Sequence, residues 1–354
     1  MRYGIVMPTP ADAWKAIKRA EELGFESAWL FDTQLVSADI FVALGAAAIS
    51  TSRIRLGTGV LIPSNRIAPV AANALASLNA LAPGRIDFGL GTGFTGRLTM
   101  GLPAIRLAEM KEYVRIVYGL LEGETLSWSF EDKDRKIRFL NPGHGLINTA
   151  EPIPLWLSAF GPKSRALAAE LGAGWINIFR DDAEAGRGIE AMRQAWDAAG
   201  TPADARRAAI LAYGCPLAPG EAFDGERAMA LAGPMAAVTL HRSIEGRGMP
   251  IDHLPEELRR NITAFRQLYQ SYEPADARYL SLHEGHLLYV RDDERRYVTA
   301  ELIRTRTLTG EEAGLRQKIA ALEAMGYDEL AVQVLPGRDY DEQLADWARV
   351  LGLG

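Results

Sequence analysis

The chain is nearly devoid of cysteine. A single thiol, Cys215, stands among 354 residues. No intrachain disulfide can form, and the default expectation is a reducing, cytoplasmic setting. Basic runs are missing as well. Thirty-nine lysines and arginines face 45 acids, for a net charge of −6. That balance lacks the electrostatic footprint of a nucleic-acid or anionic-membrane binder, so neither partner is expected. No apolar run reaches the roughly 18 residues of a membrane span. The richest, 41–49, is short and full of alanine. The opening MRYGIVMPTP passes straight into a strand-like pattern. It has no basic region, long apolar region or small-residue cleavage site, so no secretory leader is expected. Internal repeats and low-complexity tracts are absent.

What the chain does have is apolar material for one large core: 48% hydrophobic against 24% charged residues. Eight continuous apolar runs read as strands buried on both faces: 3–7, 27–31, 54–61, 86–90, 154–159, 175–179, 208–217 and 329–335. Between most of them lies a helical period. Ala13, Ile17, Ala20 and Gly24 share one face, as do Ile189, Met192 and Trp196, then Leu315, Ile319 and Leu322, and finally Leu344, Trp347 and Leu351. Thr9-Pro10 reads as an N-cap followed by Pro at N1. Gly24 and Gly326 read as helix C-caps, and Thr309-Gly310-Glu311-Glu312 as a capping box.

Strand–helix repeated eight times implies parallel strands with right-handed crossovers. The economical closure is a TIM-type (β/α)8 barrel occupying residues 1–354 as a single domain. An open doubly wound sheet is the rival that periodicity leaves standing. Two insertions break the rhythm. About 122–150 holds a β-hairpin after the fourth helix: 126–130, a charged turn at 131–136, then 137–140. About 218–300 is helical in pattern, between strands 7 and 8, and carries prolines at 219, 234, 250, 255 and 274. An insertion there lies near the barrel mouth, as a substrate lid or as packing decoration.

Barrel active sites lie at the C-terminal ends of the strands. The residues there are Asp32-Thr33-Gln34, Pro63 to Arg66, Gly91 to Arg97, Phe160 to Ser164, and Arg180-Asp181-Asp182. Asp32 is the best polar candidate, with a structural carboxylate as its other reading. Gly161-Pro162-Lys163-Ser164 opens a helix whose free N–H groups and dipole favour an anion. Gly91 to Gly96 fits G-x-G-x-x-G, but it follows the fourth strand and lacks the acidic partner of a nicotinamide site. His283-Glu284-Gly285-His286 spaces its histidines by three and not four, so no metal site is expected. His286 could instead serve as an acid or base, with a satisfied structural role as its alternative. His241 and Arg242 are further candidates of that type. Cys215 reads as core.

The run Ile54 to Val60, then Pro69, then Gly84 to Gly93 resembles the signature of the bacterial luciferase-like superfamily. Ala20 to Trp29 with Asp32, Pro152 to Ala159 leading into Gly161 to Ser164, and Thr309 to Leu335 resemble it too. The resemblance covers roughly 1–217 and 300–354. It implies a flavin or deazaflavin ring across the mouth, backed by a non-prolyl cis peptide within Gly59, Val60, Leu61 and Ile62. Thr92 and Gly93 would contact the ring or its ribityl chain. The loop from Ser158 through Gly161, Pro162, Lys163 and Ser164 would receive the phosphate. The implied activity is an FMN-dependent monooxygenase acting on a small organic substrate, with reduced FMN supplied by a partner reductase. Hydride transfer with the deazaflavin coenzyme F-420 and a non-catalytic flavin-binding protein are the alternatives. Some deazaflavin sugar-phosphate dehydrogenases place His and Glu where this chain has Thr33 and Phe94, so that substrate class is in doubt. The resemblance also implies a homodimer through 39–49 and 70–81. No charged cluster in the variable segment points to a phosphate or sulfonate on the substrate.

Overall fold

The computed structural model describes residues 1–245, 251, 252, 254 and 256–354. Eight parallel strands close into a barrel in chain order: β1 Arg2–Met7, β2 Ser27–Leu30, β3 Arg55–Thr58, β4 Ile86–Leu90, β5 Leu155–Ser158, β6 Gly174–Ile178, β7 Ala208–Ala212 and β8 Glu329–Gln333. The seam joins β1 to β8 from Arg2 opposite Glu329 to Val6 opposite Gln333. Closure disposes of the open-sheet alternative and leaves no unpaired edge.

The strands are buried on both faces, which is why their sequences are continuous apolar runs. Along β1, Ile5 and Met7 face the surrounding helices while Val6 joins the barrel interior. The interior is filled by Val6, Trp29, Trp156, Ile176, Ala209, Leu211 and Ala331. Trp29 and Trp156 meet edge to face with centroids 5.6 Å apart. Their indole N–H groups need acceptors once buried. Trp29 donates to Glu329 at 2.6 Å and Trp156 to Asp87 at 3.0 Å. Arg2 and Arg55 pair those two carboxylates at 2.8 and 2.6 Å. A charged belt thus seals the end of the barrel opposite the mouth.

Several local expectations give way to tertiary contacts. The first helix runs Trp14–Glu22, and Thr9 caps nothing, because its hydroxyl donates to the Phe31 carbonyl at 2.6 Å. The helix Glu312–Met325 has no side-chain cap. Thr309 shares its hydroxyl with Thr307 at 2.7 Å, while Gly310–Glu311 pair with Pro216–Leu217 as a short separate ladder. The run expected at 208–217 is therefore two elements, and Cys215 lies buried beyond β7, not within it. The hairpin pairs Leu126–Phe130 with Lys133–Ile137. Its turn is only Glu131-Asp132, both at positive φ, so most of the expected charged turn is strand.

The long insertion folds into Gly233–Arg242, Glu256–Tyr269, Tyr279–His283, Ala300–Arg306 and shorter pieces around a second core that includes Leu240, Ile262, Phe265 and Leu302. Met235, Val238 and Leu287 reach down to the barrel interior, which sets the insertion over the mouth. Pro250 and Pro255 lie outside the described residues. Among the described residues no helix is long and apolar enough to cross a membrane. The helices expected to face a second copy, Ile40–Ser50 and Ala68–Leu81, expose Val42, Ile49 and Val70.

Strands β3 and β4 approach too closely for a side chain at Gly89. A Cβ there would lie 2.0 Å from the Thr58 carbonyl oxygen, and the Gly89 carbonyl accepts from both Thr58 Oγ1 and the Leu61 N–H. Gly89→Ala should destabilise the fold by about 3 kcal/mol through backbone displacement. Urea unfolding of the two proteins tests this, and an unchanged midpoint would contradict it.

Candidate functional site

At the mouth the strand ends and the insertion enclose a mostly apolar cavity of about 250 Å³. Its wall begins where β3 stops. After Thr58 the Gly59–Val60 peptide is cis, within the segment expected to hold one, and Val60 and Ile62 turn toward the cavity. Leu61 does not. It bridges Leu90 and packs into the outer core, so its expected contact with a ligand is corrected: alternation along the extended chain sends it the other way. The end of β4 has to be bare beside this bulge. A Cβ on Gly91 would meet Val60 Cγ2 at 2.5 Å. Gly93, at φ +81°, starts the short helix Phe94–Leu98. Gly59, Thr92, Gly93 and Ser158 all line the cavity.

The β5 loop divides. Ser158 and Phe160 form cavity wall, whereas Gly161, Pro162, Lys163 and Ser164 sit on the rim outside it. Gly161 donates its N–H to Ser164 Oγ at 3.1 Å, which closes a capping box on the helix Pro162–Glu170. The Lys163 and Ser164 N–H groups still lack intrahelical acceptors. On the inner face of β8 the amide of Gln333 is buried with neither its oxygen nor its nitrogen partnered. A bare glycine cradle, an apolar space and a helix N-terminus at the rim suit a planar ring with an anionic tail.

Asp32 lines this space, but its carboxylate is engaged. Oδ2 accepts from the Ile62 N–H at 3.2 Å and from Asn65 at 3.0 Å, and Oδ1 accepts from Arg66 at 3.0 Å. Arg66 also contacts Asp39. The geometry fits a carboxylate that holds the β2 and β3 loops together.

His286 is a polar group that the insertion delivers to the cavity, only 2% exposed. Its Nδ1 faces His241 Nδ1 at 3.0 Å, and its Nε2 faces Thr95 Oγ1 at 3.2 Å. His241 Nε2 contacts Glu294 Oε2 at 2.9 Å. With both imidazoles neutral and Glu294 ionised, one proton arrangement satisfies every contact. Glu294 accepts from His241 Nε2–H, so His241 Nδ1 is an acceptor. His286 donates its Nδ1–H to it, and His286 Nε2 accepts from the Thr95 hydroxyl. A continuous path therefore runs from the cavity wall at Thr95 to a buried carboxylate. Burial, then the neighbouring His241 and His283, hold the His286 imidazole well below the usual histidine range, so its resting form is neutral. His283 belongs to a side branch: it donates Nδ1–H to the Tyr279 carbonyl at 2.7 Å and lies against Glu245.

Thr95, Glu294 and the pairing of His241 with His286 are not legible in the sequence. They come from separate elements, with Thr95 and His286 191 positions apart, and no local spacing marks them. Charge also reaches the cavity, in part from outside the variable segment. Arg180 and Arg242 both line the cavity, brought together from β6 and the insertion.

A closed (β/α)8 barrel with a glycine-cradled cavity at its mouth defines a barrel protein that holds a small ligand at the C-terminal strand ends. The profile of one such family, described as luciferase-like monooxygenase, matches residues 2–329, and the chain belongs to that family. An F420-dependent glucose-6-phosphate dehydrogenase from Beutenbergia cavernae is 33% identical over 182 residues, 47% of this chain and 52% of the relative. A 5,10-methylenetetrahydromethanopterin reductase from Methanolobus tindarius is 34% identical over 159 residues, 44% of this chain and 47% of the relative. The chain thus matches about half the length of these curated relatives. Among solved structures, the coenzyme F420-dependent tetrahydromethanopterin reductase of Methanopyrus kandleri superposes with a TM-score of 0.68 at 19% identity, over 99% of this chain and 98% of that one, a likeness of fold.

The proton arrangement predicts a spectrum. In long-range ¹H–¹⁵N NMR of labelled protein, His286 should stay neutral as the Nδ1–H tautomer well below pH 6.5, because its pKa is lowered. Protonation of His286 near pH 6.5, or the Nε2–H tautomer, would contradict it.

Proposed function

We propose that this chain is an oxidoreductase that exchanges a hydride with coenzyme F-420 held at the barrel mouth, acting on a small alcohol or carbonyl compound. The observation that carries this reading is the buried path from Thr95 through His286 and His241 to Glu294. The F420-dependent relatives support the choice of cofactor. The bound deazaflavin would supply the hydride acceptor or donor. The chain's own residues would handle the proton. As a substrate hydroxyl becomes a carbonyl, its C–H hydrogen leaves as hydride and its O–H proton needs a base. Neutral His286 takes that proton at Nε2, directly or through the Thr95 hydroxyl. It passes its Nδ1 proton to His241, and the resulting imidazolium is met by the Glu294 carboxylate. In the reverse direction the same groups return a proton to the new alkoxide. Val60, Ile62, Ile176 and Leu211 keep the space apolar, so water does not compete for the charge. Gly59, Gly91 and Gly93 would lie against the ring, and the Lys163 and Ser164 N–H groups at the rim would meet an anionic tail.

A second reading draws on the family's description as monooxygenases. In it FMN occupies the same cradle, a partner reductase supplies it reduced, and oxygen is the co-substrate.

Fluorescence titration of the purified protein with F-420 and with FMN, each oxidised and reduced, separates the readings. Tight binding of F-420 with FMN weak by at least roughly tenfold (about 1.4 kcal/mol) is the expected result. Tight binding of reduced FMN with weak F-420 would transfer the proposal to the second reading. Binding of neither would overturn both.

A further inference from the structure

Arg242 has no part in the proton path. It ends the helix Gly233–Arg242, on the face that carries Met235 and Val238 over the cavity. Burial and the nearby Arg180 pull its guanidinium pKa down to about 10. Among the described residues, no acid or carbonyl pairs with it. The acids around it are committed elsewhere. Glu184 is shared by Arg180 at 3.2 Å and Arg306 at 3.5 Å, Asp181 pairs with Arg306 at 3.1 Å, and Glu245 lies against His283. Arg180 stands on the same wall with its guanidinium 5.2 Å from the Phe160 ring centroid.

A desolvated cation without a counter-ion is costly to maintain. Two guanidinium groups lining one cavity raise that cost, unless an anion fills the place between them. The planar donor fork of arginine matches carboxylate and phosphate oxygens. Position in the chain adds a further constraint. His241 and Arg242 are consecutive, so one helix end fixes both the proton path and the unpaired cation. A ligand anchored on Arg242 is thereby registered against the relay.

We propose that Arg242, with Arg180 beside it, binds a carboxylate or phosphate group of the substrate at the barrel mouth. The word substrate rests on the oxidoreductase reading above; the anion site stands on the arginines themselves. The other source of the same chemistry is the cofactor's own phosphate.

The test is calorimetric titration of wild type, Arg242→Gln and Arg242→Lys with inorganic phosphate and with acetate, on the free and the cofactor-loaded protein. Thermal melts confirm that the variants fold. In parallel, FMN is compared with riboflavin, and F-420 with its phosphate-free chromophore. The expected result is phosphate or acetate binding to the loaded protein that weakens roughly tenfold or more in Arg242→Gln and is partly kept in Arg242→Lys, with cofactor affinity unchanged. Loss of affinity for the phosphorylated cofactor but not for its phosphate-free form would assign Arg242 to the cofactor and overturn the proposal. Anion binding that is absent, or equal in wild type and Arg242→Gln, would also overturn it. If neither cofactor binds, the cofactor reading fails separately. The free-protein titration then decides the anion site by the same dependence on Arg242.

Discussion

A carboxylate taken out of water must have its charge met, and Glu294, 1% exposed, is met by hydrogen bonds from two elements. Its Oε1 accepts the Arg291 N–H at 3.2 Å and its Oε2 accepts from His241 at 2.9 Å. From that single requirement the rest of the polar site takes its orientation. With His241 neutral, donation from Nε2 leaves Nδ1 to accept. His286 must then donate from Nδ1, so its Nε2 is left as an acceptor at the cavity wall. A buried carboxylate thereby fixes, through two imidazoles, the protonation state of an atom that faces the ligand space. The insertion that supplies these groups also supplies Arg242. The element expected to be a lid or decoration thus carries His286 and Arg242 to a mouth that the barrel lines with glycine, aliphatic and aromatic side chains together with Asp32, Thr95 and Arg180.

The barrel was legible because its physics is local and repeated. Strands buried on both faces are continuous apolar runs, and the helices between them show their period in triplets such as Leu315, Ile319 and Leu322. The boundaries were less legible wherever a side chain found a distant partner. Thr9 and Thr309 look like caps, yet their hydroxyls answer to Phe31 and to Thr307. The apolar run through Ile54 to Leu61 outlasts β3, because apolar character continues past Thr58 while the backbone leaves the ladder at Gly59. The run 208–217 joins two elements for the same reason.

The site was legible in its backbone and not in its chemistry. Asp32 and Thr33 after β2 and Gly91 to Gly96 after β4 do line the cavity, since barrel topology alone puts them there. Pro63 to Arg66 do not, because β3 ends earlier than its apolar run and Gly59, Val60 and Ile62 take that place. Asp32 stood out as the obvious acid, but Arg66, Asn65 and the Ile62 N–H occupy it. Sequence also showed a lack: Thr33 and Phe94 stand where some deazaflavin relatives place His and Glu. The structure brings an imidazole, His286, to that cavity from elsewhere, and behind it His241 and the Glu294 carboxylate. No spacing rule could find that set, because Thr95, His241, His286 and Glu294 meet only after the insertion folds over the mouth.

The account depends on ligand space and proton path meeting at one place. A crystal structure of the protein loaded with oxidised F-420 or FMN tests that most directly. The account predicts the ring against Gly59–Val60 and Gly91 to Gly93, with the Thr95 hydroxyl and His286 Nε2 reachable from the ring's open face. A ring bound outside the mouth, or one that seals Thr95 and His286 away from any substrate position, would contradict it.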